Sequence, residues 1–144
     1  MKSIKISTDK LTEKHKRDLR VIQKLCLPDD DPVSARQNPD GTWFLILDKR
    51  LVAFALVVPS RQWVDTAYLS RCCVYPSHRG QGIQRRLIRS RERYMRSQGY
   101  TWMITDTSTD NPASSNSLIK CGYKIIYPTK PWANSNSIYW TKKL

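Results

Sequence analysis

Between Lys2 and Ser7, Ile4 and Ile6 alternate with polar neighbours, a period of two that predicts a short strand. From about Thr12, the apolar residues Leu11, Leu19, Ile22, Leu25 and Cys26 recur at helical spacing as far as Leu27, where Pro28 and the run Asp29, Asp30, Asp31 end the pattern. One amphipathic helix is predicted there. The stretch from Pro28 to Gly41 holds three prolines and no periodicity, so it reads as a loop, long enough in a small domain to be functional or mobile.

Trp43 to Leu47 and Leu51 to Val58 are apolar runs of strand length separated by Asp48, Lys49 and Arg50, which predicts a hairpin. Their lack of alternation predicts burial on both faces. Ala67 to Tyr75 is another strand, closed by Pro76, and Ile83 to Ser97 is a helix ended by Gly99. Thr101 to Thr107 reads as a strand and Ala113 to Cys121 as a short helix ended by Gly122; Tyr123 to Tyr127 and Ser137 to Thr141 are the last strands. The predicted order is β-α-β-β-β-α-β-α-β-β.

At 144 residues this is one domain, 1–144, with a single core. Hydrophobic residues at 40% and charged residues at 26% are ordinary globular usage and exclude disordered, collagen-like and low-complexity classes. The longest apolar run, Leu51 to Pro59, falls well short of the roughly 20 residues that cross a bilayer, and no signal-peptide pattern follows Met1. A cytoplasmic protein with no membrane partner is expected. Cys26, Cys72, Cys73 and Cys121 show no paired CxxC spacing, so buried thiols and no metal site are expected. Charge changes the picture more. Lys and Arg number 25 against 12 Asp and Glu, and a net charge of +13 attracts nucleic acid, acidic protein surfaces or a phosphate-rich cofactor without choosing among them.

The strongest local signal is the segment Pro76-Ser77-His78-Arg79-Gly80-Gln81-Gly82-Ile83-Gln84, between a predicted strand and a predicted helix. Gly80 and Gly82 let the backbone approach a ligand closely, while the helix that follows aims unsatisfied N–H groups into the turn. That arrangement makes an anion cradle. It lacks the Lys-Ser/Thr ending of a Walker loop and the full glycine spacing of a dinucleotide fingerprint.

The strand ending in Val74, the Arg79-Gly80-Gln81-Gly82-Ile83 turn and the long helix after it resemble the acetyl-CoA site of the GCN5-related N-acetyltransferases, whose pattern is Gln/Arg-x-x-Gly-x-Gly/Ala. A second stretch, Asn111 to Tyr123, is similar to that family's Asn-x-x-Ala/Ser segment, with its closing Gly-aromatic pair at Gly122-Tyr123, twelve places after Asn111 for the aromatic. With the element order, the resemblance covers nearly the whole chain. It implies a single-domain α/β (α+β) fold with a mixed, mostly antiparallel sheet whose central strands splay. It implies acetyl-CoA as cofactor, held by Cys73, Val74, Arg79, Gly80, Gln81, Gly82, Ile83, Gln84, Asn111 and Ser114. Three departures stand out. Gln84 replaces the last Gly or Ala of the first signature, implying a tighter loop or a side-chain contact; Leu118 replaces the tyrosine that many members use to protonate the leaving thiolate; and Ser70 and Arg71 stand where some amine transferases carry acids.

The chemistry the resemblance implies is direct transfer of an acetyl group to an amine, with a backbone N–H of the Cys72 to Val74 strand holding the oxyanion. Tyr123, Ser117 and Tyr75 are the candidate acids, and Asp106, Asp65 and Tyr68 the candidate bases. His15 is expected on a solvated helix face, and His78 in the cradle turn against phosphate or solvent. On the helix after the cradle, Ile83, Leu87 and Tyr94 share one side, and Arg85, Arg89, Arg93 and Arg96 form an opposite stripe that is either solvated or a face for nucleic acid. Arg91 falls in the apolar sector, so it is expected to snorkel or meet a buried acid. The acceptor site is bounded, by the same resemblance, by the loop holding Asp29, Asp30 and Asp31 and by Thr129 to Asn136 with Trp132. The acceptor is read as an amine of a small molecule or protein; the alternative is a nucleic-acid-associated protein of the same fold, acting on a base or aminoacyl-tRNA or binding without catalysis.

Overall fold

The computed structural model describes residues 1–28 and 34–144; the Asp29, Asp30, Asp31 run lies outside the described residues. The strands are β1 (Lys2–Ser7), β2 (Thr42–Asp48), β3 (Arg50–Pro59), β4 (Thr66–Val74), β5 (Trp102–Ser108), β6 (Lys124–Ile126) and β7 (Ser137–Lys143); the helices are α1 (Glu13–Cys26), α2 (Ile83–Ser97) and α3 (Pro112–Lys120). The order follows the hydrophobic pattern, and the boundaries differ from it by one or two residues where turns and caps decide them. Thr12 caps α1 in a way the pattern did not show: its hydroxyl accepts from the His15 amide and its own amide donates to His15 Nδ1, each at 3.1 Å. His15 therefore closes a capping box instead of standing free on the solvated face.

One seven-stranded sheet runs β1-β2-β3-β4-β5-β7-β6, and all pairs are antiparallel except β4 with β5. Helices cover both faces, which explains the unbroken apolar runs: every residue from Leu51 to Val57 is at most 9% exposed. Trp43, Leu45, Phe54 and Leu56 pack with Leu19 and Ile22 of α1 on one face, while Phe44, Ile46, Val52 and Ala55 pack with Leu87, Ile88 and Met95 of α2 on the other. Among the described residues no helix is long and apolar enough to cross a membrane, and no group of three His, Cys, Asp or Glu could hold a metal.

Two irregularities open the middle of the sheet. Ala55 pairs with Cys72 but Val57 pairs with Leu69, so β4 carries one residue more than β3 across this interval. That is a β-bulge. On its other edge β4 pairs with β5 only from Thr66 to Tyr68, after which the two parallel strands part. Arg91 fills the gap behind the bulge. It is 2% exposed, and in place of the expected solvent or acid its guanidinium meets carbonyls: Nε donates to Leu87 O at 3.1 Å, and Nη1 to Leu56 O at 2.9 Å and Ser70 O at 3.4 Å.

Beside Arg91, Glu92 is also buried, and Lys142 of β7 places its ammonium 3.0 and 3.1 Å from the two carboxylate oxygens. This pair ties the last strand to α2. Lys142→Met leaves the carboxylate buried without its cation, which should cost about 3–5 kcal/mol of unfolding free energy. Urea denaturation monitored by tryptophan fluorescence measures this, and Glu92→Gln in the same background should recover most of the loss.

Candidate active site

The Arg79 to Gln84 turn leaves β4 through a short 3-10 turn at Pro76–His78 and enters α2 at Gly82. Gly80 and Gly82 have φ of +76° and +78°, a left-handed backbone that only glycine adopts without strain. Gly82 caps α2 without a side-chain hydrogen bond, so the first-turn N–H groups remain available. A Cβ built on Gly80 meets nothing within 4 Å, which shows how open the turn is toward its cleft. Arg79 pins the turn instead, its Nε donating to Val74 O at 3.0 Å.

The cleft has a volume of about 650 Å³. Val74, Arg79, Gly80, Gly82, Ile83 and Gln84 line it on one side, and Asn111, Ser114 and Ser117 on the other, so the two sequence signatures meet across one cavity. Gln84 makes the side-chain contact that its departure from the family pattern allowed: Nε2 donates to Ser114 Oγ at 3.0 Å, and Ser117 Oγ donates to Oε1 at 3.1 Å. This amide clamps α2 to α3. Asn111 caps α3, its side chain accepting from the Ser114 amide at 3.2 Å.

Other expected residues fall elsewhere. Gln81 is exposed, and its neighbours Gly80 and Gly82, not Gln81 itself, line the cleft. Cys73 reaches the cleft wall but is 2% exposed. The amide of Tyr75 donates to Val52 O, so alternation along the antiparallel ladder turns the Cys73 peptide toward β3 and the Val74 and Cys72 peptides toward the open edge. His78 pairs with Asp48 of the β2–β3 hairpin, Nε2 to Oδ2 at 3.0 Å, in place of solvent or phosphate alone. Tyr123 is 4% exposed and lines none of the cavities described here. Burial and the neighbouring Glu92 carboxylate hold its hydroxyl well above the ordinary phenol range. Leu118 is likewise core, 4% exposed. Ser117 is thus the expected hydroxyl that does reach the cleft. The Cys26 thiol, which no sequence pattern pointed to, also lines it and donates to Val74 O at 3.4 Å.

A second cavity of about 390 Å³ fills the wedge where β4 and β5 part. It shares Cys72, Gln84, Asn111 and Ser114 with the cleft, and adds Arg91, Thr105 and Asp106. A third, about 460 Å³, shares Tyr68 and Ser70 with the wedge and is walled by Trp132, Gln37, Asp40 and Arg61. The wedge thus shares walls with both other cavities. At the last junction Asp106 Oδ1 accepts from Tyr68 Oη at 2.6 Å and from Trp132 Nε1 at 2.9 Å. Burial, followed by the Asp106 charge, raises the Tyr68 pKa far above the ordinary value, so Tyr68 acts as a donor to the carboxylate and not as a base. Trp132 packs edge-on against Tyr139 and Trp63, with ring centres 4.6 and 5.7 Å apart. Asp65 sits in a turn at φ +57°, its carbonyl accepting from the Thr101 and Trp102 amides, and lines none of these cavities. Arg85, Arg89, Arg93 and Arg96 are exposed, and none lines the wedge or the third cavity.

The family model described as the Acetyltransferase (GNAT) family matches residues 8–123, so the chain belongs to that family. Among solved structures, the aminoglycoside 6'-N-acetyltransferase from Enterococcus faecium is similar at a TM-score of 0.78 and 19% identity, covering 99% of this chain and 97% of that one. The ribosomal-protein-S18-alanine N-acetyltransferase from Escherichia coli gives 0.74 and 16%, over 99% and 94%. An aminoglycoside 6'-N-acetyltransferase complexed with coenzyme A gives 0.75 and 21%, over 97% and 96%. No curated protein matches the chain at a significant level.

The His78 bond is the first cause holding the exposed Asp48 carboxyl below the ordinary carboxylate range. His78→Gln should move the Asp48 titration upward, toward the ordinary value, in a carboxyl-carbon NMR titration. A carboxylate depressed in the folded state favours folding above its unfolded pKa and loses that contribution as pH falls through the folded value. The stability difference between parent and variant should therefore close as the medium is acidified through the carboxylate range.

Proposed function

We propose that this acetyltransferase-family protein moves an acetyl group from acetyl-CoA to the amine of a small molecule or protein, by direct transfer through the wedge between β4 and β5. The observation that carries this reading is that three cavities share walls in sequence: a cleft at the glycine turn, a wedge beside the Val74 and Cys72 amides with Asp106 in its wall, and a pocket walled by Trp132. The residues present fit the donor. Open N–H groups at the start of α2, two positive-φ glycines, and Arg79, Arg85 and Lys120 around the cleft suit a pyrophosphate. Acetyl-CoA supplies the activated acyl carbon and a sulfur leaving group.

The protein's own part is orientation and proton handling. Tyr68 and Trp132 both bond Oδ1 of Asp106, which fixes the carboxylate and leaves Oδ2 to take the proton of an ammonium acceptor. The Val74 and Cys72 amides, turned to the open edge, are the donors for an oxyanion. Ser117, held by Gln84, and the buried Tyr123 are placed for structure more than for proton transfer. An amine is favoured over a nucleic-acid acceptor because Asp106, Tyr68 and Trp132 stand where the wedge meets the third cavity, while the Arg85, Arg89, Arg93 and Arg96 stripe lines neither.

Two measurements test this. Gly82→Val, strained at φ +78°, should weaken CoA binding at least about tenfold by calorimetry while the chain stays folded. Asp106→Asn should lower kcat by about 10²- to 10⁴-fold on the true amine and change CoA affinity less than about threefold. Unchanged turnover in the Asn variant removes Asp106 from the mechanism.

A further inference from the structure

We propose that the buried Arg91 guanidinium supplies the positive potential that stabilises the departing thiolate during transfer. The proposal rests on the acetyl-CoA reading above. In the transfer the ammonium acceptor first gives one proton to Asp106, which releases it to solvent; a C–N bond then forms at the acyl carbon, the C–S bond breaks with its electron pair left on sulfur, and the second N–H proton passes to Asp106. Something must favour the sulfur anion. Leu118, at the position where the family resemblance expects a tyrosine, is apolar and 4% exposed, and supplies no proton.

Arg91 lies in the wall of the wedge that connects the cleft to the acceptor pocket, together with Cys72, Leu118 and Thr105. At 2% exposure its charge is screened little by solvent. Its three bonds run to the carbonyls of Leu87, Leu56 and Ser70, which orient the cation without neutralising it. The nearest acid in the chain, Glu92, is occupied by Lys142. The other titratable groups around Arg91 are Cys72 of β4 and Cys121 and Tyr123 after α3, and the wedge it lines also holds Arg71 of β4 and Asp106 of β5. Guanidinium is suited to this place because it stays protonated where burial would discharge a lysine. The Cys72 thiol reports the field: burial pushes it up, and Arg91 is the influence that pulls it down. A sulfur of CoA crossing the same wedge meets the same opposition of burial and cation.

The test reads the thiol of bound CoA by its ultraviolet thiolate absorbance, as the difference between CoA and desulfo-CoA complexes, so that the protein's own cysteines cancel. In the parent protein the bound thiol should titrate within about one pH unit of free CoA, whose thiol lies near the ordinary value of about 8.5, because Arg91 offsets much of the burial penalty. Arg91→Gln keeps an N–H donor for the carbonyls and removes the charge, and should raise that titration by about one pH unit or more; Arg91→Lys, which burial would discharge, should not restore it. An unmoved titration in an Arg91→Gln variant that binds desulfo-CoA overturns the proposal. So does a parent whose bound thiol titrates well above free CoA, a result that needs no variant to fold. Failure of the parent to bind CoA or desulfo-CoA overturns the acetyl-CoA reading itself and the proposal with it, and is distinguished by calorimetry.

Discussion

A β-strand in the middle of a sheet must satisfy two edges, and β4 abandons one of them after three residues. Beyond Tyr68 it has no partner on the β5 side, while the bulge opposite Leu56 disturbs the β3 side as well. Unpaired backbone groups of this kind are costly unless side chains reach them. Here carbonyls are the groups that find donors: Thr105 Oγ1 reaches Leu69 O, Arg91 reaches Leu56 O and Ser70 O, and Arg79 and Cys26 both reach Val74 O. With acceptors satisfied by side chains, the amides of the open edge are the groups left facing the wedge. The strand edge becomes a place that prefers an anion or a developing oxyanion, and the rest of the site is arranged around it.

The clamp between α2 and α3 follows from the same opening. Both helices border the splayed region, and Gln84, bonded to Ser114 and Ser117, fixes their separation where glycine or alanine would leave it to packing alone. On the far side, the segment between β6 and β7 is tied down through Trp132 to Asp106, through the Ala133 amide to Tyr139 Oη at 3.1 Å, and through the Thr109 amide to Asn136 O. A pocket built this way is preorganised. Its aromatic wall and fixed carboxylate need little rearrangement on binding, and the loss of ordering entropy is correspondingly small.

The electrostatic character of the protein divides along these lines. Arg79, Arg85 and Lys120 line the cleft, whereas the third cavity holds both Asp40 and Arg61 and the wedge holds Asp106 with Arg71 and Arg91. The buried charges are few and each has a defined setting: Glu92 with Lys142, and Arg91 with carbonyls.

By itself, the sequence determined the order of elements, the burial of β2 and β3 on both faces, and the cradle between β4 and α2, because periodicity and glycine punctuation are local properties. The pairing of Gly82 with Asn111 across one cleft was legible from two signatures in order. What only the tertiary structure decided depends on residues far apart in the chain. Asp106, Tyr68 and Trp132 converge because β5, β4 and the segment after β6 meet at one end of the sheet; Cys26 reaches the cleft because α1 ends over Val74; and Tyr123 is withdrawn because the connection from α3 to β6 buries it beside Glu92. Arg91 is the sharpest case. Its spacing placed it in an apolar sector, where a charge demands a partner, but the partner is a pair of carbonyls laid bare by a one-residue bulge, and register irregularities of that kind arise from packing between strands that no single segment encodes.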